Sequence, residues 1–590
     1  MAEQNTNEEN TNDEGQGMDP EFDALFEQLN TKLHPDCEMS SLNFLAKLLH
    51  IKVINKWTNS SFDQLLELLG VVFPKSKIPT SHYEAKKKLR KIGLGYESIH
   101  ACKYDCALFW KENASMQNCP ICNESRWVDT TTKGKRVPQK VLRYFPLTPR
   151  LRRMYSSRFT AKDMIWHNTG RSTNGMMYHP VDGKSWQEFD KRYPEFAKEP
   201  RNVRLGLAVD GFNPFGNFNN NYSIWPVILT TYNTPPWICM KESFFMLTLL
   251  IPGSRSPAKD IDVYLRPLVD ELKMLWFEGV QIRDASTNTV FNMRAMLLWT
   301  INDFPTRSSL SGWSGQGYLA CPTCNEDTSS IYVTNKMCYV GHRRFLNINH
   351  SWRESLLFDG QPETRPRPRR FSNATILKQV NCLSDRIPGK HPDYGGKKRK
   401  RDDERKKREL NWTKRSIFFE LEYWSSLDLK HNFDVMHISK NVNESVLNTA
   451  LMNDKSKDKK EARIDLKNMG IRPDQWPKEK VKKMKKNNKE ENKKKEILPH
   501  ASYSFKPIDR QRFCQFIKGV RLPDGFGSNF KKKVNDTESN LVGLKSHDHH
   551  ILMQRLLPIG VRACLPPNVS RTIIDLCTFF KKNLCTVIGC

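Results

Sequence analysis

The chain has 590 residues, enough for about three to four domains of ordinary size, and its 38% hydrophobic and 10% aromatic content excludes a wholly disordered polymer. The formal net charge of +29 favours a polyanionic partner, of which nucleic acid is the commonest, although much of the surplus sits in two basic stretches. The first twenty residues are polar and acidic, so no secretory signal is expected, and no uncharged apolar run reaches membrane-spanning length, so no membrane partner is expected. Fifteen cysteines without a leader point to thiols and metal ligands in a reducing compartment, not to a disulfide framework.

In chain order, residues 1–20 read as a disordered acidic tail. Residues 21–99 read as a helical region. FDALFEQLNTKL, SLNFLAKLLHIKVINKW and SFDQLLELLGVVFP repeat apolar residues every three or four positions, and SHYEAKKKLRKIGL adds a basic helix. A cysteine-rich module follows at 100–127. Between 200 and 360, VRLGLAVDG, IWPVILTTY and FFMLTLLIP are short apolar runs that end near Gly, Pro or Asn, as buried strands do. DIDVYLRPLVDELKMLWFEGV is an amphipathic helix, and FNMRAMLLWTINDFP is a further strand or buried segment. Residues 361–411 and 473–497 are so rich in Lys and Arg that both are expected to be linkers, with a helical block at 412–472 between them. A last domain spans 498–590 and is expected to be partial. KKRKR at 397–401 has the composition of a nuclear import signal, and the Lys-rich 479–495 run could hold phosphates non-specifically.

Two sets of residues carry chemistry. Cys102 and Cys106 are followed by Cys119 and Cys122, two closely spaced pairs separated by a loop. Four thiolates in that pattern close a tetrahedral site that suits zinc and leave no position for water, so the zinc is structural. Asp210, before Gly211, and Asp303, before Phe304-Pro305, each end an apolar run. Carboxylates at strand tips can hold divalent cations, although an Asp before Gly or Pro is more often a turn-former. Cys321-Pro-Thr-Cys324 is a second knuckle candidate. The His547–His550 stretch is more readily a capping or surface cluster than a metal site. No phosphate-binding glycine loop and no hydrolase triad stand out.

Longer motifs go further. LAVDGFNPFGNFNNNYSIWPVILTTYNTPPWICMK, ESFFMLTLLIPGSRSPAKDIDVYLRPLVDELKMLW, DFPTRSSLSGWSGQGYLACPTCNEDT and LKHNFDVMHISKNV closely resemble the catalytic-core signature of plant CACTA (En/Spm-type) DNA transposases. IHACKYDCALFWKENASMQNCPICNESRW looks like that family's cysteine-rich segment. LPHASYSFKPIDRQRFCQFIKGVRLPDGFGSN and LVGLKSHDHHILMQRLLP look like the domain of unknown function that commonly follows the core.

The resemblance implies an α/β fold. Its centre would be an RNase H-like (DDE) core with a zinc-binding insertion, preceded by the helical region and the four-cysteine zinc module. It implies cutting and joining of DNA at element ends, with Asp210 and Asp303 as the first two metal-binding acids and Mg or Mn as the cofactor. Cys321 and Cys324 with His431 and His437 would form the insertion's zinc site. Relatives often carry Glu where MHISKN has Ser439. Glu444, seven residues after His437 and on its helical face, is the expected third acid. Asp434 and Asp458 are the other acids in reach. The implied partners are element terminal repeats, target DNA and further copies of the chain, in the nucleus. The alternative is a decayed or domesticated relative that binds DNA or protein without cutting.

Overall fold

The computed structural model describes residues 20–588 apart from 129–135, 173–176, 216–221, 254–255, 335, 384–385, 394–409, 487–488, 524–525 and 528. The chain divides into two compact units. The first comprises 1–300, 387–397 and 417–430, and the second 301–386, 398–416 and 431–590. The KKRKR stretch and nearly all of the acidic tail lie outside the described residues.

In the first unit the periodic N-terminal segments form helices Pro20–Asn30, Ser41–Ile54, Asn59–Val72 and His82–Leu89. Ser40, Thr58 and Ser81 cap the last three, each accepting a backbone N–H from the first turn. Phe22, Phe26, Leu45 and Leu89 make one small core, and Leu48, Phe62 and Leu66 another.

The apolar runs pair into a mixed sheet. Its order within this unit is Ala295–Asn302, Val203–Val209, Trp225–Thr231, Met246–Ile251, Lys140–Tyr144, Glu97–Ala101 and Leu108–Phe109. Val203–Val209, Trp225–Thr231 and Met246–Ile251 are successive antiparallel neighbours. Val203 N donates to the Arg294 carbonyl at 2.8 Å, which lays the start of Ala295–Asn302 beside the start of Val203–Val209, so those two run the same way. Leu205, Leu207, Val227, Leu229, Leu249 and Leu297 are fully buried. A side chain of that size contributes ~1.5–3 kcal/mol when removed from water.

Helix Ile261–Phe277 follows strand Met246–Ile251, and a separate hairpin, Val280–Asp284 with Thr289–Met293, stands between it and strand Ala295–Asn302. The helix's buried positions Tyr264, Leu265, Leu268, Leu272 and Leu275 recur at three- and four-residue steps. The same helix caps a neighbour. Helix Thr148–Tyr155 starts after Leu147, which has no capping side chain. Glu271 supplies the acceptor instead, taking N–H donors from Leu147 at 2.9 Å and Thr148 at 2.7 Å, the Thr148 hydroxyl at 2.8 Å, and the Tyr144 hydroxyl. Glu271→Ala orphans these donors and is expected to cost about 3 kcal/mol, read as a lowered denaturant midpoint, because hydrogen bonds to a charged group carry ~1.5–3 kcal/mol. An unchanged midpoint would show that water replaces the carboxylate.

In the second unit, helix Phe304–Ser311 follows the sheet strand, and strand His431–Phe433 leads into helix Val435–Ala450. Leu447, Ala450 and Leu451 from that helix and its end share a core with Phe513, Ile517, Leu552, Leu557 and Val561 from the C-terminal helices. The His547–His550 stretch serves this packing. Asp548 accepts the Lys545 N–H at 2.8 Å, and His549 Nδ1 meets Asn443 Nδ2 at 3.1 Å.

Residues 326–369 are held by guanidinium groups. Buried Arg343 donates to the Ser355 and Gln361 carbonyls and to Asp359, while buried Arg344 donates to Asp327, Ser329 and the Pro366 carbonyl.

Two stretches depart from the linkers that composition predicts. Helix Asn373–Asn381 lies inside 361–411, capped by Ser372. Within 473–497, strands Lys478–Lys486 and Lys489–Ile497 pair antiparallel along their whole length. Charge density argues against burial but not against backbone pairing, whose N–H and C=O groups satisfy each other whatever the side chains.

Candidate functional site

The four upstream cysteines form one site. Cys102, Cys106, Cys119 and Cys122 are all buried, and their Sγ atoms lie within 4.8 Å of one another. The local chain makes two knuckles. In the first, Tyr104 N donates to Cys102 Sγ at 3.4 Å and Asp105 takes a left-handed φ of 62°. In the second, Asn123 takes a φ of 56° and its N–H reaches the Cys119 carbonyl at 2.9 Å. Asn and Asp are the residues that tolerate that region. Crowding unsettles the thiol protons. Hydrogen bonds from Cys102 and Cys106 pull the Cys119 thiol down to about 2, while hydrogen bonds to Cys102 and Cys119, with burial, push Cys106 up. A dense, buried set of four soft donors suits a structural metal such as zinc.

The module is braced through Asp105, a buried acid between the first two cysteines. Its carboxylate accepts Lys390 Nζ at 2.7 Å, Lys140 Nζ and the Tyr264 hydroxyl. Burial pushes its pKa up, but Lys140, Lys390 and Tyr264 outweigh burial and hold it below the ordinary Asp value. Beside Lys390, Gly389 lies against Cys106 with φ of 110°, and a Cβ there would fall 2.4 Å from the Cys106 sulfur. Only glycine fits that approach.

The second cysteine pair repeats the knuckle. Cys324 N donates to Cys321 Sγ at 3.4 Å, Asn325 has φ of 49°, and its N–H meets the Cys321 carbonyl at 3.0 Å. The Tyr339 hydroxyl lies 3.2 Å from Cys324 Sγ. Among the described residues, no other group of three or more Cys, His, Asp or Glu ligand atoms gathers within 4.8 Å, so His431 and His437 are not drawn together with this pair. Arg307 occupies the neighbourhood of both halves. Its Nε donates to the His431 carbonyl at 3.3 Å, its guanidinium stands 4.9 Å over the Phe433 ring, and Cys321 acts on its charge. Burial lowers the Arg307 pKa to about 10.

Asp210 follows strand Val203–Val209, is exposed, and accepts the Gly211 N–H at 2.7 Å. Asp303 follows strand Ala295–Asn302, is half-buried, and caps helix Phe304–Ser311 through Thr306 N at 2.9 Å. Within the second unit a third acid stands beside Asp303. Asp434 N donates to the Asn302 carbonyl at 2.9 Å, the Phe304 and Phe433 rings stack 5.4 Å apart, and Asp434 caps helix Val435–Ala450 through Met436 N at 2.8 Å.

Glu444 lies about 15 Å further along that helix at 1.5 Å per residue. It is paired with Lys455 at 3.6 Å and lines a polar cleft of about 730 Å³ with Lys336, Asn448 and Asp465. Helical periodicity places Glu444 on the face of His437. It carries no information about which acid stands at the strand ends. Asp434, one of the acids in reach on the sequence, lies immediately after strand His431–Phe433 and immediately before helix Val435–Ala450.

These elements define a mixed α/β protein with a large mixed sheet and a buried four-cysteine cluster. The sequence model of the transposase family tnp2 matches residues 174–383, a span that contains Asp210, Asp303 and the Cys321/Cys324 knuckle. The match supports a transposase or transposase-derived protein, and with it DNA binding. No curated protein matches the chain by sequence. No helix among the described residues is long and apolar enough to cross a membrane.

Proposed function

We propose that this chain is a DDE-type DNA transposase of the CACTA (En/Spm) kind that cuts and joins DNA at element ends in the nucleus, working as a homo-oligomer on DNA. The observation that carries the reading is the sheet order inside the tnp2-matched span. Three successive antiparallel strands are followed by a helix and a separate hairpin, Val280–Asp284 with Thr289–Met293, after which strand Ala295–Asn302 lies beside the first and runs with it. That connectivity is what an RNase H-like core requires, and Asp210 and Asp303 directly follow the two strands so paired.

The donor set is all carboxylate oxygen, the chemistry that hard cations such as Mg or Mn select. Asp210 and Asp303 would hold the ions, and the third acid in this reading is Asp434 beside Asp303, in place of Glu444. Bound there, two such ions supply an activated water or 3′-hydroxyl and a clamp for the leaving oxygen. The protein's own part is positional. Thr306 N and Met436 N fix the Asp303 and Asp434 carboxylates at helix starts. The Cys321/Cys324 knuckle, with His431 and His437, is proposed as a second zinc site.

The test is strand nicking of plasmid DNA carrying the terminal repeats that flank the coding region, with Mg or Mn. Asp210→Ala, Asp303→Ala and Asp434→Ala are each expected to cost on the order of 10²–10³ in rate, the scale of removing one preorganised charge-stabilising group. Glu444→Ala is expected to nick like the parent. Equal nicking by Asp210→Ala would end the reading, and loss in Glu444→Ala alone would return the third-acid role to Glu444.

One observation favours the alternative, a decayed relative that binds without cutting. Ser439, where relatives often carry Glu, is fully buried and its hydroxyl has no hydrogen-bond partner. A parent that is inert and a Ser439→Glu variant that nicks would establish that alternative.

A further inference from the structure

We infer that residues 364–370 form a rigid arginine arm whose Arg367 and Arg370 enter the minor groove of A·T-rich duplex DNA. The inference rests on the DNA-acting reading of the chain and is carried by the way the arm is held.

The arm reads Thr364-Arg365-Pro366-Arg367-Pro368-Arg369-Arg370 and lies within the second unit. Pro366 and Pro368 lock their own φ, and each keeps the residue before it, Arg365 or Arg367, in extended backbone. Residues 364–370 accordingly belong to no helix or strand.

The backbone is tied to the body at four points. The Arg365 carbonyl accepts from the Arg353 guanidinium, and the Pro366 carbonyl accepts Arg344 Nε at 2.8 Å. Arg365 N donates to Glu363 Oε1 at 3.1 Å, and Arg369 N donates to Asp327 Oδ2 at 2.9 Å. Arg344, Arg353 and Glu363 are all buried. A run of like charges is ordinarily a solvated, mobile segment. Here the fold has already met the cost of ordering it, which leaves the arm preorganised for a ligand.

The arginines divide into two pairs. Arg365 is ion-paired with Glu363, and Arg369 with Glu326. Arg367 and Arg370 are exposed, and among the described residues no carboxylate pairs with either. The Arg367 guanidinium stands 5.8 Å from the centre of the Phe345 ring. Along an extended chain, three residues cover ~9 Å, close to three base steps of duplex DNA.

The chemistry of the arm selects the partner. The B-form minor groove is about 6 Å wide, too narrow for a helix but open to single arginine side chains. A·T tracts narrow it further and strengthen its negative potential, which draws arginine in. A guanidinium is weakly hydrated, so it enters such a groove more readily than an ammonium. A peptide strand does not fit the arm, because Pro366 and Pro368 offer no N–H and the Arg365 and Pro366 carbonyls are already engaged. The minor groove of A-form RNA is wide and shallow and gives the two cations no walls.

The experiment follows the anisotropy of two labelled DNA duplexes as the full chain is titrated in at about 100 mM salt. One duplex has a central run of A·T pairs, and the other has G·C pairs in its place. The parent is expected to favour the A·T duplex by ~5-fold or more, the worth of about one disfavoured base pair. Arg367→Gln/Arg370→Gln is expected to remove that preference. Lys531→Gln/Lys532→Gln takes the same charge from an exposed site elsewhere in the unit, and it is expected to weaken both duplexes alike and leave the preference intact. A parent without the preference, an arginine variant that keeps it, or a lysine variant that loses it overturns the arm and leaves the nicking test untouched. So does equal binding of a matched RNA duplex, or capture by anionic lipid vesicles that is lost in the arginine variant alone. A parent that binds neither DNA duplex overturns both the arm and the DNA-acting reading.

Discussion

Replacing Cys119 with serine is expected to remove one zinc per chain, measured by elemental analysis of the purified protein, and to open residues 102–127 and 387–393 to hydrogen exchange. Cys119 is one of four buried sulfurs that lie within 4.8 Å of one another, so its loss leaves three thiol ligands where a closed tetrahedral site needs four. Structural zinc contributes ~10–16 kcal/mol in small zinc-dependent folds, and a serine oxygen is a poor substitute for a soft thiolate. The opening should stay local, because Ile99, Leu142 and Tyr144 of the adjoining strands are buried in the sheet. Cys382→Ser, at an exposed cysteine, serves as the control. The parent's own zinc content separates two readings, because two ions per chain require the Cys321/Cys324 site to be filled and one leaves it empty. Unchanged zinc in the Cys119 variant would remove the metal from the module altogether.

Asp105→Asn is expected to destabilise the first unit by about 1.5–3 kcal/mol, the scale of hydrogen bonds to a charged group, because Lys140 and Lys390 keep part of their hydration. Asparagine tolerates the left-handed backbone of Asp105, so the variant isolates the charge. Lys140 would keep a half-buried position with no carboxylate, and Lys390 would be without the ion pair that holds its segment against the module. The effect depends on pH in one direction. The folded state holds Asp105 below its unfolded value of about 3.9, so its contribution is complete above that value. It is lost as pH falls through the lower folded value. The gap between parent and variant in urea unfolding should therefore be full near neutrality and shrink below about pH 4. A gap that persisted to the acid limit would assign the stabilisation to geometry and not to charge.

The strands are legible in the sequence where burial imposes a pattern. Val203–Val209, Trp225–Thr231 and Met246–Ile251 fall inside the apolar runs, and helix Ile261–Phe277 has the bounds its periodicity suggests to within a few residues. The four-cysteine site is legible because metal ligation fixes residue type and spacing together. What composition hides is pairing that needs no apolar residue. The Lys478–Ile497 ribbon, the guanidinium-held residues 326–369 and the Gly389-Lys390 contact are all built from groups that read as solvent-exposed. The same blindness affects the acids. Helical phase selects Glu444, whereas the position of Asp434 depends on strand His431–Phe433, only three residues long and without an apolar alternation to announce it.

The contact between Lys390 and Asp105 spans 285 positions of chain. During synthesis at ~5–20 residues per second, the zinc module waits roughly 15 to 60 s for the residues that complete it. Through that interval Asp105 has only Lys140 and Tyr264 for partners, and the Cys106 sulfur lies bare on the side that Gly389 later covers. The nascent four-cysteine module is thus most open to oxidation while the rest of the protein is still being made, and zinc supplied during synthesis is expected to raise the yield of folded protein over zinc supplied afterwards, measured as soluble chain.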